Sequence, residues 1–304
     1  MKRIFLYTLL GLALISCTGN SGNSGNGGNG GNLSTNAETV ETVETVETVE
    51  TEETQPNSFT GNYKSTGDAS LLNVTLPAGT DNQTVKYKYM TVYFNTRHRI
   101  PNCVAYELTN TQVSMANAPD AEKRENYEFN KDESVKSCPD WWEYKGTGYD
   151  RGHMAPAMDM RWDKTAMRQC FYMTNMCPQL HELNDGAWRH MEEAIHNWGR
   201  KNDRLVIFTG PVLSRNMAKT GKNRNISVPE KFFKVVYAPL GKRAIAFVME
   251  NRDLDKSWTN YATTIDEVEH LTGIDFLASL PDDLEQSIES KQNIKQWPQY
   301  TPRR

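Results

Sequence analysis

Apolar positions are spread unevenly along the chain. Residues 4–15 form one short apolar run, too short to span a bilayer as a permanent helix. A long polar stretch follows, to about residue 57. Beyond it, branched and aromatic residues come in bursts. Residues 85–94 (V-K-Y-K-Y-M-T-V-Y-F) predict a strand, with residues 102–108 as its hairpin partner. Residues 171–174, 205–208, 232–237 and 244–249 predict further strands. Trp188, Met191, Ile195 and Trp198 recur at three- and four-residue spacing, so 185–198 predicts a helix with one apolar face. A second helix is expected over 265–271, with Gly273 as its stop. Residues 110–142 read as polar and irregular, and the Trp141-Trp142 pair within them is assigned to core packing rather than base stacking. Strands and helices do not alternate as βαβ units. The expected class is α+β, with a mixed, largely antiparallel sheet core.

Three regions follow from this pattern. Residues 1–17 read as a lipoprotein signal peptide: Lys2 and Arg3, the apolar run, then a lipobox at Leu14-Ile15-Ser16-Cys17. Cys17 is the expected lipidation site. Residues 18–57 carry Gly-Asn-Ser, Gly-Asn-Gly and Glu-Thr-Val repeats, which offer too little apolar surface to offset ordering entropy and read as a disordered tether. Residues 58–304 are long enough for one domain with a sizeable core. The expected location is that of an exported bacterial lipoprotein, held to a membrane by its lipid and facing the periplasm or the cell surface.

Counting charge by region changes the picture. Residues 1–57 hold two of the 34 basic and seven of the 38 acidic side chains, so the rest carries 32 and 31. A wholly basic nucleic-acid-binding surface is therefore not indicated, and phosphate binding must come from local clusters of Lys and Arg. Besides Cys17 there are four cysteines, Cys103, Cys138, Cys170 and Cys177. An exported protein can pair four cysteines in three ways. Cys103–Cys138 is the expected pair, and Cys170 and Cys177 are left open.

The chemistry concentrates in residues 149–193. Asp150-Arg151-Gly152-His153 comes first, then Asn175-Met176-Cys177-Pro178-Gln179, then Asn184-Asp185-Gly186-Ala187-Trp188 with Glu192 beyond. Phosphodiester hydrolysis needs water to lose a proton and the phosphate charge to be met. A neutral His does the first near pH 7. An Arg fork binds phosphate oxygens. Gly152 would allow close substrate approach or a tight turn. Asn184 offers a neutral carbonyl oxygen to a hard cation such as Mg²⁺. On an ideal helix Glu192 lies about 80° around and about 12 Å along from Asn184. From there it could reach an ion's water shell, though not the ion itself.

These residues resemble the DNA/RNA non-specific endonuclease family, the sugar-non-specific nucleases that include mitochondrial endonuclease G. The family signature is Asp-Arg-Gly-His, Asn-x-x-Pro-Gln, then Asn-x-Gly-x-Trp with a downstream Glu. The likeness continues through residues 101–108, 209–212, 228–234 and 271–276, and covers most of 85–280. It implies a ββα-metal (His-Me) finger in a mixed α/β domain. It implies His153 as general base and Asn184 as the single protein ligand of a hydrated Mg²⁺, with Mn²⁺ able to substitute. Glu192 would hold water of that ion, and Arg151 and Asn175 would assist. Lys123-Arg124 resembles a family Lys-Arg in which the Arg, here Arg124, contacts phosphate. His196 stands where some members have an Arg, which would weaken phosphate binding. DNA and RNA are the implied substrates, and a homodimer is left open.

Overall fold

The β-forming runs assemble into strands β1 (Gln83–Lys86), β2 (Met90–Asn95), β3 (Ile100–Thr109), β4 (Asp150–His153), β5 (Met176–Gln179), β6 (Arg204–Val212), β7 (Ala218–Thr220), β8 (Ile226–Val228), β9 (Lys231–Ala238), β10 (Arg243–Glu250) and β11 (Ala262–Thr263). The helices are α1 (Asn110–Ala116), α2 (Ala157–Met160), α3 (Lys164–Cys170), α4 (His181–Leu183), α5 (Arg189–Lys201), α6 (Ile265–Thr272) and α7 (Asp282–Glu289). The computed structural model describes residues 68–300, all within one compact unit, Lys64–Arg304. The expected signal peptide, the Cys17 lipidation site and the 18–57 tether lie outside the described residues.

Seven strands form one sheet in the order β1-β2-β3-β6-β9-β10-β11. Every neighbouring pair is antiparallel. The class is α+β, as the pattern predicts. Its central strands are covered on both faces, so β9 reads as an almost unbroken buried run, Phe232 to Ala238. One face packs Cys103, Ala105, Phe208, Phe233 and Val235 against Ile265, Val268 and Ile288 of α6 and α7. The other carries α5: Trp188 lies 5.8 Å from Phe232 and Trp198 6.3 Å from Phe247, centroid to centroid. Four strands stand apart from the large sheet, as the antiparallel pairs β4–β5 and β7–β8. The β4–β5 pair, with α5, forms the finger that carries the Asp150–His153 motif.

Local expectations fared unevenly. The single strand over 85–94 is two, β1 and β2, folded back so that Val85 faces Val92. The Tyr-Lys-Tyr turn is pinned by Tyr87 on Asp132 and Thr174 and by Tyr89 edge-on to Trp162. Residues 171–174 make no strand; Met173–Asn175 is a 3₁₀ turn and β5 follows it. The stretch 110–142 hides α1, whose Thr109/Gln112 capping box is written in the sequence. Gly273 does stop α6, at φ 70°.

Two further expectations are overturned. All four described cysteines are free and buried. Cys103 packs in the layer between the sheet and the C-terminal helices, a cluster that does not include Cys138, and the Cys103–Cys138 pairing is not made. Burial also pushes the Cys138 thiol up to about 12, away from reactivity. The second concerns Trp141 and Trp142, which are 47% and 40% exposed rather than part of the core.

Candidate active site

The finger begins with a four-rung ladder. Asp150 pairs with Gln179, Arg151 with Pro178, Gly152 with Cys177 and His153 with Met176. Gly152 is needed here for packing. A Cβ at this position would sit 2.1 Å from Gln179 Oε1 and 2.7 Å from its Cβ. The room expected for substrate is filled by the Gln179 side chain across the ladder.

His153 ends β4 and projects into an aromatic cleft. Its ring lies edge-on to Phe171 at 4.9 Å and tilted against Phe129 at 5.5 Å. Two guanidinium groups share this cleft. Arg151 lies 4.5 Å over Phe129, and Arg124 lies 5.1 Å over Phe171 and 5.6 Å over Phe129. His153 Nε2 is shielded from solvent and has no hydrogen-bond partner. Burial, then the charges of Arg124 and Arg151, push the imidazole down to about 3. The ring is therefore neutral at pH 7, with an unsatisfied nitrogen, beside cations suited to an anion.

Asn184 stands beyond α4, at the start of the Asn184–Trp188 π-turn that leads into α5. Its Nδ2 donates to Asp150 Oδ2 at 2.9 Å. The same carboxylate oxygen meets His181 Nδ1 at 2.9 Å, and that bond raises the exposed imidazole above its usual range. With Nδ2 committed, Asn184 Oδ1 is the free atom of the amide. Its hydrogen-bond capacity is not used within the described residues.

Glu192 is buried and faces Lys234, which is fully buried. Lys234 Nζ donates to Glu192 Oε1 and to the Met154 carbonyl, both at 3.1 Å. Burial raises the Glu192 carboxyl while Lys234 pulls it down. The ideal-helix relation between Asn184 and Glu192 does not hold. Gly186 has φ −101° and ψ −119°, a kink between the two.

Asn175, expected to assist at the site, is engaged by the backbone. Its Oδ1 accepts from Ala155 N at 2.9 Å, and its Nδ2 donates to the carbonyls of Ala155 and Cys170 at 3.0 and 2.8 Å. Fully buried and fully used, it ties the segment after His153 to the approach of β5. His196 does not face the cleft either: it hydrogen-bonds Asp159 and Asn117 at 2.8 and 2.9 Å.

The structure thus brings together His153, Arg151 and Arg124, sets Asn184 on Asp150 and pairs Glu192 with Lys234. Sequence reasoning gave no role to Phe129, Phe171 or Lys234. Lys234 had a signal, a lone charge in the middle of an otherwise apolar strand. The two phenylalanines had none, because they meet only in three dimensions.

Residues 67–283 match the family model described as DNA/RNA non-specific endonuclease. Mitochondrial nuclease 1 of Schizosaccharomyces pombe is 29% identical over 227 residues, covering 68% of this chain and 69% of the relative. A nuclease of Nostoc sp. is 30% identical over 225 residues, covering 68% and 77%. Among solved structures, a chain of the EndoG/EndoGI complex superposes with a TM-score of 0.63 at 25% identity, covering 69% of this chain and 92% of that one.

Proposed function

This chain belongs to the DNA/RNA non-specific endonuclease family, and we propose that it hydrolyses phosphodiester bonds of both DNA and RNA with His153 as general base and Mg²⁺ held by Asn184. The observation that carries the proposal is the neutral, unpartnered Nε2 of His153 beside two guanidinium groups. A buried nitrogen without a partner is costly on its own. An attacking water would supply that partner, and its proton would pass to Nε2. Arg151 and Arg124, both against the Phe129 ring, would bind the phosphate oxygens.

The donors suit a hydrated hard cation. Asp150 turns the Asn184 amide so that Oδ1 is the free oxygen. Among the described residues, the one group of three clustered carboxylate, imidazole or thiol donors is Asp266, Glu269 and Glu289, on α6 and α7 and not on the finger. One neutral oxygen ligand and a mostly intact water shell are what Mg²⁺ accepts, and Mn²⁺ would substitute. When bound, the ion supplies Lewis-acid chemistry at the phosphate and the leaving oxygen. Glu192, fixed by Lys234, is the carboxylate proposed to order water there. Asn175 holds His153 in place through the backbone.

No recognisable base-reading module is present, so the enzyme is proposed to grip the backbone. Plasmid should be degraded in Mg²⁺ and spared in EDTA. Matched DNA and RNA oligonucleotides should both be cut, and Asn184→Ala should impair both together. Loss of one substrate alone, or cutting at a single sequence, would refute the common phosphate mechanism. Anchoring through Cys17 remains part of the proposal. Cys17→Ser should move the protein out of the membrane fraction, and an unchanged fractionation would remove the anchor from it.

A further inference from the structure

Trp141 and Trp142 are adjacent, and both are exposed, at 47% and 40%. Among the described residues only Met115 and Leu240 are comparably exposed large apolar side chains, and each stands alone. The exposure is built rather than frayed. The two Trp open the 3₁₀ turn Trp141–Tyr144, whose start is closed by an Asp140–Glu143 capping box. Glu143 is buried and held by Arg99 through two bonds of 2.7 Å, and Tyr144 is buried beside it. The inner half of the turn is therefore pinned while the outer half presents two indoles to water.

The turn is also tied to the active site. Arg151 Nη1 donates to the Trp141 carbonyl at 3.3 Å, and the same guanidinium covers Phe129 beside His153. On the outer side Lys222 Nζ lies 5.0 Å from the centre of the Trp142 ring. Two exposed indoles, one with the Lys222 ammonium over its ring and both next to Arg151, match one kind of ligand. A nucleic-acid strand whose phosphate rests on Arg151 would carry its flanking bases over this turn. Indole rings stack on any base, without regard to sequence.

We infer that Trp141 and Trp142 form a stacking platform for unpaired bases beside the scissile phosphate. The platform rests on the nuclease reading and deepens it, because it makes unstacked, single-stranded segments the better-held substrate at this cleft. Arg151 couples the two functions: it binds the phosphate and fixes the backbone that carries the first indole.

The test separates base stacking from phosphate binding. The full chain is kept in EDTA, and fluorescence anisotropy measures binding of a single-stranded DNA oligonucleotide and of an oligonucleotide of equal length made of abasic sites. Both ligands carry the same phosphates. The wild type should bind the base-bearing strand on the order of tenfold or more tightly, the worth of one base stack. Trp141→Ala/Trp142→Ala should bring the ratio close to one, and Trp141→Phe/Trp142→Phe should restore most of it, which excludes a folding defect as the cause. A ratio that the alanine pair leaves unchanged overturns the platform. Plasmid cleavage in Mg²⁺ is read separately. A wild type that does not cleave overturns the nuclease reading and leaves a Trp-dependent ratio standing as evidence for the platform.

Discussion

Both faces of the large sheet bury titratable groups, in opposite company. On the finger face, His153 is pushed down to about 3 by burial and by two neighbouring guanidinium groups. On the other face, Glu269 and Glu289 are pushed up to about 7 and about 8, by burial first and then by neighbouring carboxylates. Asp266, Glu269 and Glu289 bring oxygens within 4.8 Å of one another. Burial favours the neutral form in both places. The neighbours decide what a neutral group is good for. Beside His153 they are cations that attract the anion on which a base could act. Beside Glu289 they are more acids, which only resist the loss of its proton. Two clusters perturbed first by burial therefore differ in the sign of the charge around them.

The sharpest way to break the comparison is His153→Ala. It should lower turnover by about 10²–10⁴-fold while circular dichroism stays that of the wild type. In the wild type, the acidic limb of kcat/KM should lie well below the unperturbed imidazole value of 6.5, since His153 stays unprotonated down to about 3. Near-normal turnover in a folded variant would reduce the finger cluster to a structural one.

A smaller effect on activity, but a large one on stability, is expected at Lys234. This fully buried ammonium is held by Glu192 and a backbone carbonyl. Lys234→Met leaves Glu192 buried without its partner, which should destabilise the fold by about 3–5 kcal/mol in urea titrations. A loss below about 1 kcal/mol would mean that Glu192 is already neutral and needs no cation.

The smallest effect belongs to the opposite face. Glu269 and Glu289 hold their protons more tightly folded than unfolded. They contribute stability at low pH, and it is lost as pH rises from the unfolded range near 4.5 through about 7 and 8. Glu289→Gln should raise the melting temperature at pH 9 by about 2–4 °C and flatten its decline between pH 6 and 9, with cleavage unaffected. A decline as steep as in the wild type would show that the carboxylates are relieved in some other way.

Much of this molecule was legible before it folded. The strands at 205–208, 232–237 and 244–249 stand as β6, β9 and β10, because a strand covered on both faces must be apolar nearly throughout. The Trp188–Trp198 stripe marked the buried face of α5 for the same reason. Errors came where a local pattern had two solutions. The aromatic run at 85–94 could extend or fold back, and only the sites waiting for Tyr87 and Tyr89 decided. Trp141-Trp142 read as core because indole is apolar. Its exposure was set by Glu143 and Tyr144, which took the inward positions of the same short turn.

At the cleft the division is similar. The chain itself singled out His153, Asn184 and Arg151 as the candidate groups, through the residue types and order of Asp-Arg-Gly-His and Asn-x-Gly-x-Trp. It could not specify their surroundings. Phe129 and Phe171 are forty-two residues apart in the chain and lie 5.2 Å apart at their ring centres. Glu192 and Lys234 are as widely separated and share one ion pair. Asn175, assigned to chemistry, is consumed by three backbone bonds that no sequence pattern reveals. Residue type fixes which reactions a side chain can perform. Burial, neighbouring charge and free hydrogen-bonding capacity fix whether it performs them, and those are properties of positions brought together from distant parts of the chain.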